Sequence, residues 1–527
     1  MKKTRIAMVL ALSAVLFAGC ASGVKNEAPE ASGDNPGAEA PAVSADEPFN
    51  IILNAQPTGF NPLTTNDSMS SDINIQIYDT LYNRTQDGTS YEPNLALDFP
   101  ESSEDGLSAT IKLREDVSFS NGEKFNAETV KFTIERIKDK EYGSARASIA
   151  ASVESVEVIG EYEVKLNLSY PDGVLVAKFA HMNSAMISPN SDGVALMTEP
   201  VGTGPYVMTE AVAGSEYVLE YNENYWGEEP DIKKVVFTVV AEASTAISRL
   251  ETAEADFMPV VPLTNVNRVK NIPGVNFVTS PSSQITYLGL RTDTAKNPEL
   301  MSNEKVRQAM LMAIDRASYV ETLEGNALGT NSILPSTVFG YKEEAENYGY
   351  GFDLEAAKKA VAEAGVEDEP VVILTSTVQA TQTVAEYIQA SLKEAGFNNV
   401  ELLPQEFATY LDTAKQPNAF DLVVLTWANV TGDGTEFFDP NLHSVNSSQR
   451  VQYKNDAFDQ FVNESRETMD MDVRLDKLDA ANKQALTDAV VVPLYNPFNT
   501  FAFSEKYENV SILPGTYFKV QTFKLAE

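Results

Sequence analysis

Between residues 353 and 427 the chain changes hydrophobic period repeatedly, and this alternation restricts the fold more than any other feature. Asp353 stands at a helix start, Leu354, Ala357, Val361 and Ala364 share one face, and Gly365 follows as a stop. Residues 371–375 are a short apolar run bounded by polar residues, as in a strand buried on both faces. Val384, Ile388, Leu392 and Ala395 mark a second helix, again ended by a glycine, Gly396. Strand-like runs follow at 400–403 and 420–427. Helix, strand, helix, strand, strand specifies an α/β lobe.

The remainder keeps the same character. Residues 50–55 read as a strand closed by the turn residues 56–59, and 108–113 as another. Asn126 is placed to cap a helix over 127–138, whose Val130, Ile134 and Ile137 share a face. Two alternating stretches within 153–168, separated at Gly160, predict a hairpin. Residues 304–322 predict one continuous helix with Val306, Met310, Ile314, Ala317 and Val320 aligned. At 527 residues the chain has room for three or four units of about 150 residues each. Hydrophobic residues make up 43%, enough for sizeable cores. A formal charge of −37 repels phosphate backbones and argues against a nucleic-acid partner. One cysteine excludes a disulfide framework and a cysteine-based zinc site, and two histidines leave little for histidine chemistry.

The N-terminus has Lys2, Lys3 and Arg5 ahead of an apolar run over 6–18. A membrane span needs about 20 apolar residues, so this run fits a secretory signal instead. The lone cysteine, Cys20, comes directly after Phe17-Ala18-Gly19, and this resembles the bacterial lipoprotein signal. The expectation is a signal peptide over 1–19, lipidation of Cys20, and a flexible acidic linker over 20–48 rich in Ala, Pro, Gly, Ser and acids. Such a chain would be exported and held by its lipid at the outer face of the cell membrane, or on the periplasmic side in a two-membrane bacterium.

Several further segments, taken in order, resemble the extracytoplasmic solute-binding proteins of peptide-type ABC importers, nearest the glutathione- and dipeptide-binding members. They are Phe60-Asn61-Pro62-Leu63, Ile77-Tyr78-Asp79-Thr80-Leu81, the block 110–131, Val201-Gly202-Thr203-Gly204-Pro205-Tyr206, and Asn222-Glu223-Asn224-Tyr225-Trp226. Val306-Arg307-Gln308-Ala309, Ile314-Asp315-Arg316, Ala362-Glu363-Ala364-Gly365 and the stretch 427–440 complete the series. The resemblance implies a bilobed periplasmic-binding-protein-like fold, two mixed-sheet lobes joined by crossing strands with a subdomain inserted in the first. Lobe I would comprise 49–82, 200–284 and 494–527, the insert 83–199, and lobe II 285–493. It also implies a peptide-like solute enclosed by hinge closure, delivery to permease and ATPase subunits, a monomeric binder, and no cofactor.

Site candidates follow from position. Residues 427–433 lie just past a buried strand, where open α/β sheets bind ligands. Trp427 would line the pocket, with Asn429 and Thr431 beside it. By the resemblance, Asp433 would pair with a ligand ammonium, although its spacing from Trp427 is longer than in the usual peptide-binder pattern. Gln56 and Thr58 mark another cleft edge, and Tyr287, Tyr495 and Asn496 flank the crossings between lobes. Residues 202–206 lack the lysine of a phosphate loop. Asp433, Glu436 and Asp439 do not match an EF-hand, and no metal is expected. With no HExxH or GxSxG, an enzyme is not expected. The alternatives are a binder of nickel, haem or sugars from the same family, or a secreted hydrolase using paired carboxylates.

Overall fold

The computed structural model describes residues 47–191, 195–445, 450–515 and 517–526. The expected signal peptide, Cys20 and all but the last two residues of the expected linker lie outside the described residues.

The first strand, β1 (Phe49–Leu53), is apolar and buried except at Asn50, which is partly open. Helix α1 (Ser68–Ile77) follows, with Asp67 as its N-cap accepting from the Ser70 amide. The chain then leaves this layer to form β2 (Ser108–Lys112), α2 (Ala127–Lys138), β3 (Val153–Gly160) and β4 (Glu163–Leu168). Strand β4 pairs antiparallel with both β2 and β3, so the hairpin forms around Gly160 as its alternating pattern requires. Helix α2 starts on a capping box between Asn126 and Thr129 and buries Val130, Ile134 and Ile137.

The chain returns through β5 (Tyr206–Val212), β6 (Glu216–Tyr221), β7 (Lys234–Val239) and the short β8 (Phe257–Met258). Strands β7 and β8 both run parallel to β1, whereas β5, β6 and β7 form an antiparallel meander. Gly202 and Gly204, just before β5, are needed for close approach. A Cβ at Gly202 would stand 2.0 Å from the Ile77 carbonyl oxygen, and the Gly204 amide donates to that oxygen at 2.8 Å.

Strands β9 (Val275–Pro281) and β10 (Gln284–Leu290) lead into the second sheet. Helices α3 (Glu304–Met312), α4 (Arg316–Glu321) and α5 (Leu354–Ala364) come next, then β11 (Val371–Ser376), α6 (Gln379–Glu394), β12 (Val400–Gln405) and β13 (Leu422–Ala428). The single helix expected over 304–322 is two helices. Asp315 takes up the N-cap of α4, its carboxylate accepting from the Ser318 amide at 3.1 Å, and this ends α3 early. Gly365 closes α5 in the left-handed conformation at φ +64°. Helices α7 (Thr435–Asn441) and α8 (Met471–Thr487) precede the last long strand, β14 (Val491–Ser504).

Strand β14 joins the two sheets. Its first residues pair with β10, and the rest pair with β9 and β8. The strands run in the order β12-β11-β13-β10-β14-β8-β1-β7-β6-β5, parallel and antiparallel mixed. The α/β architecture is the one the alternating periods specify, and the mixed sheets are those the resemblance implies. The backbone crosses between sheets at 281–284 and again at 495–498. One face of the second sheet packs on its own helices through Leu288, Val306, Met310, Ile373, Ile388 and Leu422. Its other face, with Tyr287, Val423 and Leu425, joins the large core shared with the first sheet. No helix among the described residues is long and apolar enough to cross a membrane.

Candidate ligand-binding site

The loop after β13 is built by its own side chains. Asn429 donates to the Asp433 carbonyl oxygen at 2.8 Å and accepts from the Gly432 amide at 2.8 Å, drawing the loop into a tight turn. Gly432 sits at φ +81°, and a Cβ there would stand 2.2 Å from Arg84 Nε. Glu436 Oε2 accepts from both the amide and the hydroxyl of Thr431, each at 2.6 Å. Burial pushes the Glu436 carboxyl above its usual range.

Asp433, the expected ammonium partner, is fully buried, and its oxygens meet groups of the protein itself. Oδ2 accepts from Arg474 on α8 at 2.6 Å, and Oδ1 accepts from the Thr435 amide and hydroxyl at 3.0 and 2.6 Å. The Arg474 side chain is also buried and lies over the Phe339 ring at 5.0 Å. Trp427 is half-buried, with the Arg450 guanidinium over its ring at 4.8 Å.

The remaining candidates fall elsewhere. Gln56 and Thr58 are exposed, and Thr58 donates to Asp67 at 2.5 Å ahead of α1. Tyr287 is fully buried and donates to Asn441 at 2.8 Å while its ring packs on Phe437. Tyr495 packs against Tyr319, and Asn496 donates to the Gln284 carbonyl at 3.1 Å. The structure thus gathers Trp427, Asn429, Thr431 and Asp433 in one loop and sets Tyr287, Tyr495 and Asn496 into the packing of the crossings.

Of these four, Thr431 faces open space on two sides. On one side is a narrow cavity of about 50 Å³, walled by Asp79, Arg84, His181, Tyr517 and Lys519. Lys519 donates to Asn83 at 2.9 Å, and burial lowers its pKa. Burial also lowers the pKa of His181 to about 3, so the ring is neutral, and its Nδ1 accepts from the Asn183 amide. On the other side is a cavity of about 350 Å³ between the segment after β4, with Asp172 and Lys178, and the α7 acids Glu436 and Asp439. Each acid has a cation: Lys178 meets Asp172 at 2.5 Å, Arg466 meets Asp439 at 3.0 Å, and Arg146 approaches Glu436 at 3.9 Å. Tyr91 further donates to the Thr431 carbonyl at 3.0 Å. Among the described residues, no group of three or more His, Cys, Asp or Glu is placed to hold a metal ion.

Sequence reasoning did not single out Arg84, Arg146, Arg474 or Lys519, because each meets its partner only in three dimensions. A charged residue set between fully buried apolar ones, such as the half-buried Lys519 between Phe518 and Val520, is the signal that could have marked them.

Two mixed sheets joined by two crossings, with a loop at a strand's carboxyl end facing cavities between them, define a bilobed binding protein. Residues 90–449 match the model of the bacterial extracellular solute-binding proteins, family 5, and the chain belongs to that family. It is 25% identical to the oligopeptide-binding protein AppA of Bacillus subtilis (strain 168), covering 97% of each chain. It is also 25% identical to heme-binding protein A of Haemophilus influenzae, covering 88% of each. The fold matches the unliganded open form of the murein tripeptide binding protein MppA with a TM-score of 0.80 at 19% identity, over 92% of this chain and 98% of that one. It matches AppA in complex with a nonapeptide with a TM-score of 0.67 at 24% identity, over 91% of this chain and 99% of that one.

Proposed function

We propose that this chain captures peptides between its two lobes and presents them to the permease of an ABC importer, without turning them over. The observation that carries this reading is the pair of crossings at 281–284 and 495–498, which leaves the lobes linked by little backbone and free to close as a hinge. The oligopeptide-binding name of its full-length relative supports peptide as the solute. Thr431, Arg84 and Lys519 line a small cavity beside the loop after β13, and such polar groups suit the main-chain and terminal groups of a peptide once the lobes part, with water filling side-chain space.

Small-angle scattering tests the hinge. A pool of free peptides should contract the molecule, and free amino acids or haem should not; contraction by haem alone would favour the haem-binding relative's chemistry instead. We further propose that Cys20 carries the lipid anchor, that the chain acts as a monomer, and that the residues over 20–48 space it from the membrane. Cys20→Ser should move the protein from the membrane fraction to the soluble one, and a variant that stays membrane-bound would contradict the anchor.

A further inference from the structure

Arg84, His181 and Lys519 come from three separated stretches of chain and line one cavity of about 50 Å³. Arg84 uses two of its nitrogens on the backbone, Nε donating to the Gly88 carbonyl at 3.1 Å and Nη2 to the Thr337 carbonyl. Its Nη1 is buried and has no hydrogen-bond partner among the described residues. His181 is 5% exposed, and its Nδ1 accepts from the Asn183 amide at 3.1 Å. The ring is neutral, so its one proton sits on Nε2, which is also buried without a partner among the described residues. Lys519 has three N–H donors and directs one to Asn83 at 2.9 Å.

Donors left unmet in a buried site are costly, and charged ones most of all. The acid that lines this cavity, Asp79, is already engaged. Its Oδ2 accepts from Thr203 at 2.9 Å and from the Trp226 indole at 3.2 Å, and its Oδ1 accepts from Asn94 at 3.4 Å. Two acids nearby have cations of their own, Asp433 with Arg474 and Glu436 with Arg146. Asp87 and Glu92 act on Arg84 and Lys519 from the exposed surface, where water and salt screen them. Two cations therefore face one acid, and the wall is one negative charge short of balance. Water can accept from these donors but carries none of that charge. A water molecule's share of the liquid is about 30 Å³, so a cavity of about 50 Å³ takes one small ion and not an amino-acid residue.

We infer that this cavity is a site for a small monovalent inorganic anion, chloride in an ordinary medium, held by Arg84 Nη1, His181 Nε2 and Lys519 Nζ. Such an ion supplies the missing charge and accepts from all three nitrogens through charge-assisted bonds. Thr431, in the loop after β13, lies on the same wall, and Tyr91 donates to its carbonyl at 3.0 Å. The ion thus ties Lys519, near the end of the chain, and residues 82–84 to a loop of the second sheet, and it holds the lobes together while no solute is bound. A peptide that needs the lobes apart then binds against the ion. The ion site stands on its own geometry; its effect on peptides rests on the peptide reading, and the test separates the two.

Crystals of the chain soaked in sodium bromide should show an anomalous peak within hydrogen-bond distance of the three nitrogens. Peaks at exposed cations alone would mean an adventitious ion only and would overturn the site. In solution, chloride NMR line broadening without peptide should report binding that Lys519→Met weakens at least about tenfold. Undiminished broadening in that variant would overturn the assignment, and should the variant not fold, the bromide density decides. Equilibrium dialysis against a pool of free peptides then reads the consequence. Retention should be at least about threefold weaker in sodium chloride than in sodium gluconate at equal ionic strength, because gluconate is too large for the cavity. Equal retention in the two salts would overturn the ion's hold on the lobes. A chloride effect on free-carboxyl peptides that is absent from C-amidated ones would assign the donors to the ligand and overturn the free ion. If no peptide is retained in either salt, the peptide reading fails, and the bromide density still decides the ion site.

Discussion

The pairing of Asp433 with Arg474 takes two charges out of water and compensates each with the other, with the Ser465 carbonyl and with Thr435. Such a pair contributes little net stability when intact, but removing one member strands the other charge at a cost of roughly 3–5 kcal/mol. Asp433→Asn is therefore expected to lower the midpoint of urea unfolding sharply, because Arg474 would keep its charge with no carboxylate to meet it. A midpoint close to wild type would show that Asp433 is dispensable to the loop. That loop's position past a strand end was legible in the sequence, but the partner of its acid was not. Arg474 lies 41 residues further on, on a helix whose docking is set by tertiary packing.

At the level of elements, the chain's local signals did most of what local signals can do. Asn126, Asp353, Gly365 and the Gly160 hairpin all act where their side chains, or lack of one, suit the backbone. The break between α3 and α4 escaped because the apolar stripe stays in phase across it, while the signal that wins is the Asp315 side chain competing for the backbone. Gly202 and Gly204 show the same limit. Their sequence marks a special path, but the reason, contact with the Ile77 backbone, belongs to two segments 125 or more residues apart. Gly202→Ala should cost roughly 1–3 kcal/mol through overpacking. Gly351→Ala, where a Cβ meets nothing within 4 Å, serves as the control and should change stability little. Equal effects of the two substitutions on the urea midpoint would contradict the close-approach account.

For the whole molecule, the decisive feature is that one strand, β14, belongs to both sheets and that, among the described residues, one other segment crosses beside it. Crossings this few let the lobes turn about them, and the face that the second sheet shares with the first is the packing such a turn would have to open. Their existence could be anticipated only through resemblance, because period and composition describe each lobe's interior and carry no information on how lobes are joined. Tyr287, Tyr495 and Asn496 illustrate this: Tyr495 and Asn496 lie where β14 passes between the sheets, whereas Tyr287 lies inside β10 and packs against Asn441 and Phe437. The central claim, that this bilobed chain holds peptides unchanged, is tested most directly by native mass spectrometry of protein purified without refolding. The account predicts a family of bound masses that fragment as intact peptides; a bound haem, metal chelate or sugar in their place would contradict it.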